Sequence, residues 1–82
     1  MPFKLSKHAL GKHQNEKWNA VTIRDALLGG MLENVEFLQG NTANIYCGKI
    51  EGECVGLIVS KDEENPVIIT GFAAPLEYWK SV

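Results

Sequence analysis

Hydrophobic residues recur at helical spacing in the first third of the chain and at strand spacing in the rest. Residues 3–14 hold scattered apolar positions that fit a short helix or an extended entry followed by a helix. Residues 20–28 carry apolar residues three and four positions apart, with Asn19 as a favourable N-cap before them and Gly29-Gly30 as a stop. The pattern therefore predicts one or two N-terminal helices.

After Gly30 the pattern becomes that of β-strands. The hairpin is clearest where two apolar segments flank Glu51-Gly52, a favourable tight turn. The predicted strands are "NVEFLQ", "NIYCGKI", "ECVGLIVS" and "PVIITGF". The chain is thus predicted to form a single α+β domain over residues 1–82, with one or two N-terminal helices packed on a four-stranded antiparallel β-sheet.

Strand alternation divides the hairpin side chains between two sides, and both sides are apolar near the middle. One side should carry Tyr46, Ile50, Val55, Leu57 and Val59. The other should carry Ile45, Cys47, Cys54 and Ile58. The helices can cover only one side, so the second is predicted to form a shallow cleft or a surface for a partner.

Composition and charge restrict the classes of partner. The chain has 82 residues, 45% of them hydrophobic, and a net charge of −2. No apolar stretch is long enough for a membrane span, and the N-terminus lacks the pattern of a secretory signal, so we expect a cytoplasmic protein with no membrane partner. Contact with RNA would depend on the local group of lysines before residue 18.

The two cysteines are expected to remain free thiols. The Glu51-Gly52 turn places Cys47 and Cys54 diagonally on one side of the hairpin, further apart than a disulfide favours. Their spacing fits no zinc motif, so we predict neither a metal nor a cofactor.

Several short motifs resemble a known family. The segments "KHALGKH", "IRDALLGG" and the exit "PLEYW" resemble a family of small bacterial and phage domains of unknown function. That family begins with a His-Ala-x-x-Arg helix and is grouped with the barnase/EndoU/colicin/RelE ribonuclease fold. The resemblance covers nearly the whole chain and implies a RelE-like (BECR) fold. His8 matches the family histidine and Thr70 the threonine of its last strand, whereas Lys12 replaces the arginine and Phe72 the tyrosine.

This resemblance implies a small, metal-independent endoribonuclease of the toxin type, in which the RNA 2′-hydroxyl attacks its own phosphate. Such chemistry needs a proton-transfer group and cations for the phosphate. His8 is the candidate acid or base, Lys12 and Arg24 the candidate phosphate ligands, and Thr70 a positioning group. The partners implied are RNA and an antitoxin or immunity protein.

Each of these residues also has an ordinary structural interpretation. His8 and the lysines fit a solvated helix surface, Arg24 could pair with Asp25, and Thr70 could fill space in an apolar strand. The second functional hypothesis is therefore a catalytically degenerate protein-binding module, such as a phage-type inhibitor of a nucleic-acid enzyme or defence system. A dimer formed by pairing of strand edges is a third.

Overall fold

A five-stranded mixed sheet with helices on both faces forms the protein. The structure, a computed structural model, describes residues 3–62 and 64–81; residues 1–2, 63 and 82 of the predicted domain lie outside the described residues. The elements are β1 (Lys4–Leu5), α1 (Lys7–Gly11), α2 (Ala20–Leu28), β2 (Glu33–Gln39), β3 (Asn44–Ile50), β4 (Glu53–Val59), β5 (Val67–Ala73) and α3 (Leu76–Ser81). The strand order is β1-β5-β4-β3-β2.

The predicted α+β class is confirmed, but the predicted four-stranded antiparallel sheet is wrong. Strand β1 pairs with β5 in parallel and adds a fifth strand, and the resulting mixed sheet does not support the RelE-like description. The backbone N–H of Lys4 donates to the Pro66 carbonyl and that of Ser6 to the Ile68 carbonyl. A strand of two residues is too short to show an alternating pattern, so it was not predictable from spacing.

The helix predicted within residues 3–14 is reduced to α1. Its N-cap is Ser6, whose hydroxyl oxygen accepts the backbone N–H of Ala9 at 3.0 Å. For α2, the predicted Asn19 cap is confirmed, since its side chain accepts from Val21 and Thr22 in a capping box.

The predicted hairpin is confirmed residue by residue. Cys47 lies opposite Gly56, and Lys49 lies opposite Cys54. Glu51 and Gly52 form the turn with φ values of 52° and 80°, the left-handed pair that a type I′ turn requires.

The first face of the sheet, called here the helical face, packs against α1 and α2. Its core joins buried residues of both helices to the predicted hairpin side, and its members are Ala9, Ala20, Ile23, Ala26, Ile50, Val55, Leu57, Val59 and Ile68. Gly71 allows the closest approach, because a Cβ there would lie 3.0 Å from the Ala20 Cα. This packing fixes α2 over β4 and β5.

The opposite face, called here the Trp79 face, is covered at its centre by α3. Trp79 is fully buried there with Ile45 and Cys47. Its indole N–H donates to the Ala74 carbonyl at 3.1 Å, and its ring lies directly over Gly56. The second side of the hairpin, predicted to form a shallow cleft or a partner surface, is therefore covered at its centre by one aromatic side chain from the C-terminal helix.

Among the described residues, no helix combines the length and hydropathy needed to cross a membrane.

Candidate functional site

The predicted acid–base residue His8 lies on α1 with its side chain exposed. The backbone N–H of Lys12 donates to the His8 carbonyl at 2.9 Å, so the exposed Lys12 follows His8 by one turn, as predicted. Lys12 is the C-cap of α1 and has an extended backbone, and among the described residues no hydrogen bond joins its side chain to that of His8. Two exposed side chains of this kind could attract a phosphate, but no hydrogen bond from another described residue orients the His8 ring.

His13 is held in a different environment. The helix ends at Gly11, and His13 adopts a left-handed φ of 57°. Its ring packs against Phe72 with centroids 5.1 Å apart, and its Nδ1 pairs with the Glu16 carboxylate. These contacts secure the loop between α1 and α2 to the sheet.

The predicted phosphate ligand Arg24 is already engaged. Its Nη2 and Nε donate to Asp25 Oδ1 at 3.1 and 3.3 Å, and most of its side chain is buried. For Arg24, the ordinary structural interpretation, a pair with Asp25, is therefore the one observed. A phosphate would have to compete with a carboxylate that is only one residue away.

Thr70 lies on β5, on the Trp79 face of the sheet. It faces Ile58 across β4 and β5, and Ile58 packs in the Trp79 cluster. The helices α1 and α2 cover the helical face instead. Of the four predicted site residues, His8 and Lys12 are thus exposed neighbours along the chain, Arg24 is paired with Asp25, and Thr70 lies on the Trp79 face.

A second region presents apolar side chains that the helices do not cover. On the helical face, Val35 and Phe37 of β2 are 45% and 44% exposed. The Phe37 ring contacts Tyr46 with centroids 4.7 Å apart, and Tyr46 in turn contacts Phe3 edge-on. We call Val35, Phe37 and Tyr46 the β2 patch. Since β2 is the last strand in the sheet order, this patch lies beside an open strand edge.

A cleft of about 230 Å³ opens next to the β2 patch. It is lined by Phe37, Asn44, Tyr46, Val59 and Ser60. Asn44 is 4% exposed, and its Oδ1 accepts no hydrogen bond from the described part of the chain. Buried polar atoms nearly always have a partner, so this unpaired oxygen is an exception to the usual pattern.

Asn44 was not among the residues predicted from the sequence, although a signal existed. In "NIYCGKI" it shares its side of β3 with Tyr46 and Ile50, one of the two apolar sides predicted from alternation and the one that packs on the helices. A polar residue at an inward position of an amphipathic strand is the sequence feature that could have identified it.

The cysteines are free thiols, as predicted. Cys47 is buried and Cys54 is half-buried, and desolvation raises the pKa of both thiols. A raised pKa favours the unreactive thiol form at neutral pH. The described residues contain no group of three or more histidine, cysteine or acidic side chains placed to hold a metal ion.

Comparison of the chain with protein-family models, curated proteins and solved structures found no match. The resemblance to the His-Ala-x-x-Arg domains therefore stays a prediction from short motifs.

Proposed function

We propose that this protein is a binding module that contacts another polypeptide through the β2 patch. One observation carries the proposal: Val35 and Phe37, both large and apolar, are each almost half exposed side by side on a strand at the sheet edge. Contiguous exposed apolar side chains rimmed by polar residues are typical of protein interaction sites.

The charged residues of β2 suggest the character of the partner surface. Glu33 and Glu36 are exposed on the same strand, but their pairing with Lys49 and Cys47 places them on the Trp79 face, so a partner contacts them together with the patch only where it reaches round the β2 edge. A partner with an apolar contact surface bordered by lysine or arginine would complement this arrangement. Such a partner agrees with the hypothesis of an inhibitor that engages the basic surface of a nucleic-acid enzyme.

The experiment compares the wild-type protein with Phe37→Ser and a matched control, Ile69→Ser. Ile69 is also an exposed apolar strand residue, 38% exposed, but it lies on β5 away from the patch. Sedimentation velocity first tests self-association, and affinity capture from cell extract followed by binding titration with the purified captured protein tests a separate partner. We expect binding to be lost in Phe37→Ser and retained in Ile69→Ser.

Two results would contradict the proposal. One is a partner that binds Phe37→Ser and the wild-type protein equally well. The other is a wild-type protein that neither self-associates nor retains any protein under conditions in which it is folded. Self-association that Phe37→Ser abolishes would identify the partner as a second copy of the chain.

The metal-independent ribonuclease remains a second proposal, favoured by the exposed His8 with Lys12 one turn away. It predicts that purified protein cleaves RNA in EDTA and leaves 2′,3′-cyclic phosphate ends. His8→Ala should abolish cleavage, while Lys7→Ala, also exposed on α1, should reduce it only slightly. Absence of cleavage by folded wild-type protein would reject this proposal.

A further inference from the structure

Strand β2 is the last strand in the sheet order, so one side of its backbone faces away from the sheet. At the end of the β2–β3 hairpin, the Gly40 N–H donates to the Ala43 carbonyl at 3.0 Å. Hydrogen-bonded and non-hydrogen-bonded pairs alternate along antiparallel strands, so Phe37 and Gln39 occupy non-hydrogen-bonded positions opposite β3. The backbone N–H and C=O groups of Phe37 and Gln39 therefore point towards the open edge.

The side chains of this edge suit the addition of another strand. Val35 and Phe37 are each almost half exposed on the helical face, which α1 and α2 do not cover at β2. A strand added beside β2 would pack against both side chains and supply partners to the outward backbone groups.

The two ends of β2 carry opposite charges on the Trp79 face. Glu36 is exposed, and its pairing with Cys47 places it on this face. Lys80 is exposed on α3 and lines a cavity together with Leu38 and Gly40, at the end of β2. Neither Glu36 nor Lys80 takes part in the ion pairs formed by the described residues. An antiparallel strand with the same order of charges would therefore complement β2.

We propose that the partner of the β2 patch is a second copy of this chain, with the two β2 strands paired antiparallel about a two-fold axis at Phe37. The inference rests on the proposed protein-binding function and names its partner. The axis places Glu36 opposite Leu38 of the second copy, next to Lys80 of that copy. It also keeps the pairing beyond the shift in register between Glu33 and Glu36. An axis at Glu36 would instead place two carboxylates opposite each other.

Sedimentation equilibrium of the full-length protein measures the dissociation constant of the dimer, with samples up to about 1 mM so that weak association is detected. Glu36→Lys and Lys80→Glu each replace two attractive contacts across the axis with two repulsive ones. Each variant alone should therefore raise the dissociation constant at least about tenfold. Lys7→Glu makes the same change of charge as Lys80→Glu at an exposed residue of α1, and it should leave the dissociation constant unchanged.

An equimolar mixture of the two charge variants is the decisive sample. In a mixed dimer of Glu36→Lys with Lys80→Glu, each lysine again faces a carboxylate at both contacts. The mixture should therefore form dimers at concentrations at which each variant alone is monomeric. A mixture that stays monomeric although the wild-type protein dimerises would overturn the antiparallel arrangement.

A backbone substitution tests the pairing of the strands themselves. Gln39→Pro removes an N–H that points towards the open edge and should raise the dissociation constant about tenfold, whereas Gln39→Ala should not. Amide hydrogen exchange of Phe37 in the wild-type protein keeps the test decisive if proline alters the fold. This exchange should slow as the protein concentration rises through the dissociation constant, and exchange that does not respond to dimerisation would overturn the edge pairing.

Failure of this inference can be distinguished from failure of the proposed function. A wild-type protein that stays monomeric at every concentration would overturn the inference. If that monomer binds a different protein and Phe37→Ser abolishes the binding, the β2 patch is still a protein-binding surface. If it binds no protein, the proposed function fails as well.

Discussion

The two halves of the sheet carry similar apolar side chains but bury them to different extents. In β4 the residues Val55, Leu57 and Val59 are almost completely inaccessible. In β2 only Leu38 is half-buried and the other residues are exposed. Val35 and Phe37 in particular remain almost half exposed. Residue type therefore does not decide the difference between the two strands.

The reason for the difference is the width of a helix. A helix with its side chains is about 10–12 Å across, and neighbouring strands lie about 4.8 Å apart, so one helix covers about two strands. Helix α2 lies over β4 and β5, while α1 contacts β5. The helical layer therefore ends before it reaches β2, and an apolar surface remains exposed on that strand.

The largest effect on the well-covered half is expected for Trp79→Ala. This removes a fully buried indole and its hydrogen bond to Ala74, so the free energy of unfolding should fall by about 3–5 kcal/mol. Equilibrium unfolding in urea measures the change. Tyr78→Ala, at the adjacent but 43% exposed position, should cost about 1 kcal/mol or less. Equal losses in the two variants would show that α3 does not hold the sheet through Trp79.

Gly56→Ala should have the next largest effect. A Cβ at this position would lie 2.6 Å from the Trp79 ring, so the indole must shift and the free energy of unfolding should fall by about 1–3 kcal/mol. Gly11→Ala is the control, because a Cβ there meets no atom within 4 Å. In a Trp79→Ala background the cost of Gly56→Ala should largely disappear. An unchanged cost in that background would contradict the assigned contact.

Alkaline pH should weaken the Trp79 face by a smaller amount. Burial raises the pKa of Cys47 and Cys54 above the ordinary cysteine value of about 8.5. The folded state therefore retains these protons longer than the unfolded state, and this contribution to stability is complete below the ordinary pKa and is lost as pH rises through the raised values. Unfolding in urea from pH 7 to 10.5, with Cys47→Ala/Cys54→Ala as reference, should show a steeper decline for the wild-type protein. Parallel curves would contradict this prediction.

Asn44→Leu should have the smallest effect on stability. Unlike most substitutions of buried residues, it should not destabilise the protein. It removes a buried oxygen that has no partner among the described residues, so the free energy of unfolding should stay unchanged or rise by up to about 1 kcal/mol. Val59→Ala, at the position opposite Asn44, should instead lose about 1 kcal/mol or more. A marked loss of stability in Asn44→Leu would contradict this prediction and would mean that the Asn44 side chain stabilises the fold.

Much of the local structure followed from short stretches of sequence. Asn19 and the glycine pair at 29–30 bound α2, and Glu51-Gly52 fixed the hairpin register together with the division of its side chains between two faces. These features depend on caps, turns and alternation within a few residues of one another. They were predictable because the interactions that create them are local.

The candidate site was less predictable. His8 and Lys12 lie one turn apart as expected, because they are close in sequence. The Arg24–Asp25 pair was one of two alternatives that the sequence left open, and the position of Thr70 on the Trp79 face depends on how the strands pair. Asn44 was recognisable as a polar residue at an inward position, yet its lack of a partner could be found only from its surroundings.

The sequence by itself determined the α+β class, the second helix and the central hairpin, since these arise from periodicity and turn chemistry. Only the tertiary structure decided that residues 4–5 add a parallel strand, that Trp79 covers Gly56, and that β2 remains uncovered. Each of these outcomes joins residues that are distant along the chain. They depend on how far a nine-residue helix and one indole ring extend across the sheet. No local sequence pattern contains that information.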